Sequence, residues 1–294
     1  MKKFTVLMLV LLSSFLLNVC ADKNGAWSQS QITDALESSM NFFSAYFTKM
    51  VPACEVIYED DVIFICSYLP DEDLYCYSNV LSAQFNSKNV AQRVQEVMQI
   101  YQERNLSFSW WVGPNSTPAN LEEILKQSNF TLCRSYSGMY RSVHGLEVEK
   151  LQALQIKSIS EASMLWDFNN VLMQAGGSLQ VYERMLRVLP ENVYSTGAPV
   201  ELYVGYIDGN PVTIGAVAFY ANVGYIDWVT TIPKERNKGY GSAIMYYLIN
   251  RTAERNYSLV VLLATKEAIN LYKRMGFQEY CTYKEYYFCN GLTS

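Results

Sequence analysis

Between Val229 and Ser242 the chain reads Val-Thr-Thr-Ile-Pro-Lys-Glu-Arg-Asn-Lys-Gly-Tyr-Gly-Ser, an apolar strand that enters an amphipathic helix through a basic, glycine-containing turn. Such a turn suits phosphate. The first N–H groups of a helix lack intrahelical partners and sit at the positive end of its dipole, so an anion there gains hydrogen bonds and field together. Gly239 and Gly241 remove the side chains that would keep a pyrophosphate from that backbone. Arg236 and Lys238 add positive charge, and Asn237, Tyr240 and Ser242 complete the cradle. Two rival phosphate folds are excluded by spacing. A P-loop needs Gly-Lys-Ser/Thr, whereas Gly241 precedes Ser242-Ala243; a dinucleotide fingerprint needs a third glycine where Ile244 stands.

Arg236-x-x-Gly239-x-Gly241 after a strand and before a helix resembles the acyl-CoA-binding signature of the GNAT (Gcn5-related) N-acetyltransferases. A second segment, Glu267-Ala-Ile-Asn270-Leu-Tyr272-Lys-Arg-Met-Gly276-Phe277, is similar to the family's late helix, which carries a tyrosine and ends at Gly-Phe. The two segments together cover about the last third of the chain. The resemblance implies acetyl-CoA as co-substrate, an amine-bearing acceptor and no metal. It also implies that backbone groups of Thr230, Thr231 and Ile232 align the pantetheine arm and polarise the thioester. Tyr272 becomes the general acid, since a phenol of pKa ~10 is neutral at pH 7 and can protonate a departing thiolate. Asn270 either touches the pantetheine or caps locally.

Removing the proton of a lysine-like amine at pH 7 costs ~4–5 kcal/mol, so a positioned carboxylate is useful. Asp227, taken to share a strand face with Tyr225, Val229 and Thr231, is the candidate base, with Glu201 and a water relay as alternatives.

The elements needed to position these groups follow the family's order. A strand near Leu151 to Ile159 precedes helices at Glu161 to Gln174 and Leu179 to Leu189. Three antiparallel strands come next, Val200 to Ile207, Val212 to Tyr220 and Gly224 to Thr231, the first two joined by the hairpin signal Asp208-Gly209. Leu259 to Leu263 and Tyr280 to Phe288 supply the last strands.

Ahead of these, Gln31 to Met50 sets Ile32, Leu36, Met40, Phe43 and Phe47 on one helical face. Strands are expected at Glu55 to Tyr58, Val62 to Tyr68 and Leu106 to Val112, with helices at Asn89 to Asn105 and Asn120 to Ser128. The run Leu121 to Phe130 echoes Ala268 to Phe277, with Asn129 where Gly276 stands; asparagine is the next-best left-handed helix cap. The first half thus resembles the N-terminal lobe of tandem GNAT proteins, without any Arg-x-x-Gly-x-Gly. The fold class is α/β (α+β): two lobes, 22–144 and 151–294, each a mixed, mostly antiparallel sheet flanked by helices. An acceptor cleft is expected between them, near Tyr225 and Trp228.

With 294 residues, half of them hydrophobic, the chain is long enough for two such lobes. One histidine, His144, against 23 tyrosines leaves little room for a His-dependent triad or a His-rich zinc site. A net charge of −5 argues against nucleic acid as a partner. Lys2-Lys3, the apolar run Phe4 to Leu17 and Val19-Cys20-Ala21 read as a signal peptide cleaved after Ala21, predicting export to a periplasm or the exterior with no retained membrane span. Lipidation at Cys20 is less favoured because Val19 is bulky. Cys54, Cys66, Cys76, Cys133, Cys281 and Cys289 then permit disulfides whose pairing the sequence does not choose.

Overall fold

A computed structural model describes residues 27–49, 51, 53–68, 78–145, 153–176 and 196–290. The expected leader at 1–21 and the expected helix at Leu179 to Leu189 lie outside the described residues.

The first half contributes α1 (Gln29–Thr48), β1 (Cys54–Glu59), β2 (Val62–Ser67), β3 (Asn79–Leu81), α2 (Val90–Glu103), β4 (Phe108–Val112), α3 (Leu121–Gln127) and β5 (Thr131–Ser142). The second contributes β6 (Gln155–Ser158), α4 (Ala162–Gln174), β7 (Val200–Ile207), β8 (Asn210–Tyr220) and β9 (Val223–Thr231). It continues with α5 (Tyr240–Glu254), β10 (Leu259–Ala264), α6 (Ile269–Arg274) and β11 (Gln278–Phe288). Among the described residues no helix is long and apolar enough to cross a membrane.

Among the described residues eleven strands join one sheet in the order β1-β2-β3-β4-β11-β5-β10-β9-β8-β7-β6. It is mixed and mostly antiparallel, with parallel pairs only at β3–β4 and β9–β10. The two halves repeat one plan. Each has a parallel pair followed by a helix and a long last strand, and those last strands trade places: β11 pairs with β4 and β5, while β5 pairs with β10 and β11. The sheet is therefore pseudosymmetric about the β11–β5 seam.

Helix α1 opens on a reciprocal capping box, in which Ser28 Oγ accepts from the Gln31 N–H and Gln31 Oε1 accepts from the Ser28 N–H. Its predicted stripe of Ile32, Leu36, Met40, Phe43 and Phe47 is buried and lies against β8, β9 and β10. At about 1.5–3 kcal/mol per buried side chain against about 1 kcal/mol for a cap, the stripe fixes this helix. On the opposite face, Ile244, Met245, Leu248 and Ile249 of α5 pack with Val217, Ile226, Val260 and Leu262. Gly215 lets α5 come close, since a Cβ there would stand 2.8 Å from Leu248 Cδ1.

Asp208 and Gly209 both adopt positive φ, as a two-residue hairpin turn requires. Asn129 and Gly276 likewise sit at φ +66° and +82° after α3 and α6, so the two echoing segments end on the same left-handed cap. Asn129→Ala should therefore cost about 1 kcal/mol, a fall of about 2–4 °C in Tm, while Asn129→Gly leaves Tm unchanged or raises it. Equal melting of the Ala and Gly variants by calorimetry would refute the cap.

Cys54, Cys66, Cys133, Cys281 and Cys289 are free thiols, and Cys76 lies outside the described residues. Cys54 and Cys66 occupy neighbouring strands but opposite faces of the sheet, packed in different clusters, which rules out a bridge between them. Burial pushes the Cys66 thiol up to about 11.

Candidate active site

Strands β9 and β10 run parallel only through Val223↔Leu259, Gly224↔Val260 and Tyr225↔Val261. Beyond Tyr225 they diverge, and the edge of β9 from Ile226 to Thr231 has no partner in β10. Thr230, Thr231 and Ile232 thus line one wall of an opening; their carbonyls accept from Thr213 Oγ1, Arg236 Nε and the Glu235 N–H, and the Ile232 N–H donates to the Val212 carbonyl.

The opening is shaped further by a bulge. Ile214↔Thr230 is followed by Ala216↔Asp227, so Trp228 and Val229 together oppose Gly215, and Trp228 adopts φ +52°. The extra residue breaks the alternation assumed from sequence. Asp227 stays on the Tyr225 side, but Val229 turns toward the α5 face, where it packs with Ile244 and its neighbours. Thr231 also approaches α5, its Oγ1 lying 3.4 Å from where a Cβ on Gly241 would be.

At the mouth of the opening, Ile232 leads into a short 3-10 turn, Pro233–Glu235, before α5 begins with Gly239 as its N-cap at φ +87°. Asn237 is also left-handed, at φ +64°. Gly239 offers no side chain to cap the helix, and among the described residues no protein group accepts from the amides of Tyr240, Gly241 or Ser242. Arg236 Nε donates to the Thr231 carbonyl at 3.1 Å, tying the turn to the end of β9, and Lys238 pairs with Glu235 at 2.9 Å on the surface. The cluster of free amides is what a diphosphate needs.

Tyr272 lies on α6 at the inner end of this opening, nearly buried, its ring packed on Phe277 at 5.6 Å between centroids. Its hydroxyl has no hydrogen-bond partner among the described residues. Burial, and then the nearby Asp227 carboxylate, push its pKa well above the usual tyrosine value, so the phenol is neutral throughout the physiological range. Asn270, two residues earlier, is exposed.

Asp227 accepts the Trp228 N–H at 2.7 Å and the Tyr225 hydroxyl at 2.8 Å. Burial raises its pKa above the ordinary aspartate value, and those two bonds offset only part of the rise. The carboxyl is held in place and made more basic, as a general base requires.

Two sequence expectations need correction. Glu201, the alternative base, is fully buried on β7 and accepts from Arg251 Nε at 2.8 Å, Tyr203 at 2.5 Å and the Gly197 N–H at 2.7 Å. Burial alone would raise its pKa, but these bonds outweigh it and lower the value. Glu201 anchors the C-terminal part of α5 to the sheet and has no free lone pair for a substrate. Tyr225 and Trp228 do not line an open cleft either: Tyr225 is buried, and Trp228 is wedged among Phe43, Phe47 and Phe168.

In the first half the matching gap is closed. Strands β3 and β4 pair at Asn79↔Ser109 and Val80↔Trp110, and the chain then re-pairs beyond them. Gln84 bridges Thr117, the Phe85 N–H donates to the Thr117 carbonyl at 3.1 Å, and the Thr117 N–H donates to that of Ala83 at 3.0 Å.

Residues 175–277 match the family model for the Acetyltransferase (GNAT) family. The chain carries a GNAT acetyltransferase domain. Solved structures show the same fold over most of the chain. A GCN5-related N-acetyltransferase from Kribbella flavida aligns over 88% of this chain and 98% of its own, with a TM-score of 0.64 and 16% identity. A tandem GNAT protein from the clavulanic acid biosynthesis pathway covers 83% of this chain and 86% of its own, at TM-score 0.58 and 9% identity. A GCN5-related N-acetyltransferase from Sphaerobacter thermophilus covers 78% and 80%, at TM-score 0.55 and 14% identity. No curated protein matches the sequence. The GNAT fold is one that supports acyl transfer. Among the described residues no group of three or more His, Cys, Asp or Glu side chains is arranged to hold a metal ion.

Proposed function

We propose that the second half of this chain is an acyl-CoA-dependent N-acyltransferase, moving an acetyl group from acetyl-CoA directly to a primary amine. The observation that carries this reading is the line from the uncapped amides of Tyr240 to Ser242, along the edge of β9 that β10 leaves, to the Tyr272 hydroxyl, which lies beside Asp227 and has no hydrogen-bond partner among the described residues. Acetyl-CoA supplies the activated acyl group. Arg236, Asn237, Lys238 and the Gly239 to Ser242 amides hold its diphosphate, Thr230 to Ile232 and Asn270 align the arm, and Asp227 takes the proton from the attacking amine. As the new C–N bond forms and the C–S bond breaks, Tyr272 donates its proton to the sulfur and recovers one from solvent. The first half, whose gap is shut by the Gln84 to Thr117 pairing, serves as a wall of the acceptor side rather than as a second cofactor site.

Export by the N-terminal leader is part of the proposal, and it sets the rival reading. Acyl-CoA is an intracellular compound, so an exported chain of this fold has reason to act as a silent binding module. Thiol release from acetyl-CoA across a panel of primary amines, with the chain starting at Asp22, separates the two. Turnover should show sequential rather than ping-pong kinetics, because no side chain here carries the acyl group between steps. At saturating amine, kcat should rise through an acidic limb lying above the ordinary aspartate value, since the folded environment raises Asp227. No alkaline fall from Tyr272 should appear below pH ~10, because its pKa is moved upward. Binding of coenzyme A without release of thiol toward any amine would favour the binding module.

A further inference from the structure

Two donors hold the Asp227 carboxylate, and a helix of the first half packs on the residues that supply them. The Tyr225 hydroxyl donates to Oδ2 at 2.8 Å and the Trp228 N–H to Oδ1 at 2.7 Å, so each oxygen is met by its own donor. A second lone pair stays on each oxygen for an incoming amine, and Asp227 itself is only half-buried. Trp228 stands in the bulge, where a strand residue is released from regular pairing, and there its amide serves the carboxylate. Tyr225 is 2% exposed, which leaves it no route to a substrate. Phe43 of α1 packs on the Tyr225 ring at 5.6 Å and on the Trp228 ring at 4.9 Å between centroids. Phe47, one turn on, stacks on Trp228 at 5.2 Å.

A hydroxyl bonded to a carboxylate favours its ionised form. Burial raises the Asp227 pKa, and the Trp228 N–H and the Tyr225 hydroxyl oppose the rise. Among the described residues no lysine, arginine or histidine is hydrogen-bonded or ion-paired to Asp227. The titratable groups around it are phenols: Tyr225 on β9 and Tyr272 on α6, with Tyr283 of β11 and Tyr136 of β5 beyond Tyr225. The neighbouring strand β8 sets Ala216 opposite Asp227, and α1 and α4 bring the rings of Phe43 and Phe168. Burial pushes all four phenols upward, so below pH ~10 Asp227 titrates alone, tuned by its two hydrogen bonds and not by a neighbouring charge.

We propose that Tyr225 is a positioning residue for the general base, and that Phe43 of α1 keeps its hydroxyl on Asp227, so that the first half of the chain completes the base of the second. This rests on the acyl-transfer reading and deepens it. Tyr225 fixes the orientation of Oδ2 and keeps the carboxylate ionised to lower pH than burial alone would allow.

Tyr225→Phe keeps the ring and removes one oxygen. Two readouts apply to the full chain: the titration of the Asp227 carboxyl in the resting protein, by infrared difference against Asp227→Asn, and the acidic limb of kcat with acetyl-CoA and an amine. Both should move up by about one pH unit or more, the size of a lost hydrogen bond to a charged group. Replacing Tyr225 by 3-fluorotyrosine, a more acidic phenol and a stronger donor, should move both down. Phe43→Leu should act in the direction of Tyr225→Phe, by less, and add little to it in the double variant. An unmoved titration in Tyr225→Phe, or an upward one with 3-fluorotyrosine, overturns the proposal whatever the activity; a wild-type titration in Phe43→Leu overturns the part given to the first half. A moved titration beside an unmoved limb upholds the hold of Tyr225 on Asp227 and removes Asp227 from the acyl-transfer reading. Where no amine turns over, the titration alone decides.

Discussion

Gly239→Asp is expected to abolish coenzyme A binding, raising Kd at least ~100-fold, or ~2.7 kcal/mol, while the protein stays folded. The residue adopts φ +87° as the N-cap of α5, a left-handed conformation that aspartate tolerates better than most residues. The penalty in Tm should therefore be a few degrees at most. The new carboxylate sits beside the amides of Gly241 and Ser242, competes for them, and repels the diphosphate that they are free to bind. Gly239→Asn has nearly the same size without the charge, so it separates repulsion from crowding and should lose much less affinity. Calorimetric titration of the three proteins decides the matter: a Gly239→Asp variant within about threefold of wild type would show that the α5 amides do not hold phosphate.

Tyr272→Phe is expected to lower kcat by ~10²–10³-fold and to leave coenzyme A affinity within about twofold. Among the described residues the hydroxyl has no hydrogen-bond partner, so its removal breaks none of their bonds, and Tm should move by no more than a degree or so. That separation of effects is the point. A tyrosine that merely packed on Phe277 would lose nothing on conversion to phenylalanine. An acyl donor whose departing thiol is more acidic needs less help from a proton donor and should recover most of the lost rate. A variant with wild-type kcat on acetyl-CoA would remove Tyr272 from the chemistry and turn attention to water as the proton source.

Local signals in the sequence located most of the elements on which these expectations rest. Asp208-Gly209, Asn129 and Gly276 announce left-handed turns because few other residues accept that backbone, and the stripe from Ile32 to Phe47 announces a half-buried helix. Three features stayed hidden, each for a physical reason. The exchange of β5 and β11 is a choice of pairing partner, and nothing in the alternation of a strand names its neighbour. The bulge at Trp228 rests on a positive φ in a bulky residue, which no residue type signals, and so simple alternation puts Val229 on the wrong face. Strand β3 is three residues long, too short for any period to show.

That seam bears on how the protein can move. In an ordinary two-lobed enzyme a hinge lets the halves rock and clamp on their substrate, but here the last strand of each half is woven into the other through continuous backbone pairing. Rocking would tear ladder bonds on both sides of β5 and β11. The two halves are therefore held to one another at a fixed setting, so molecules that reach the β9–β10 opening meet a preset shape, like a gauge, and not a closure of the halves around whatever enters.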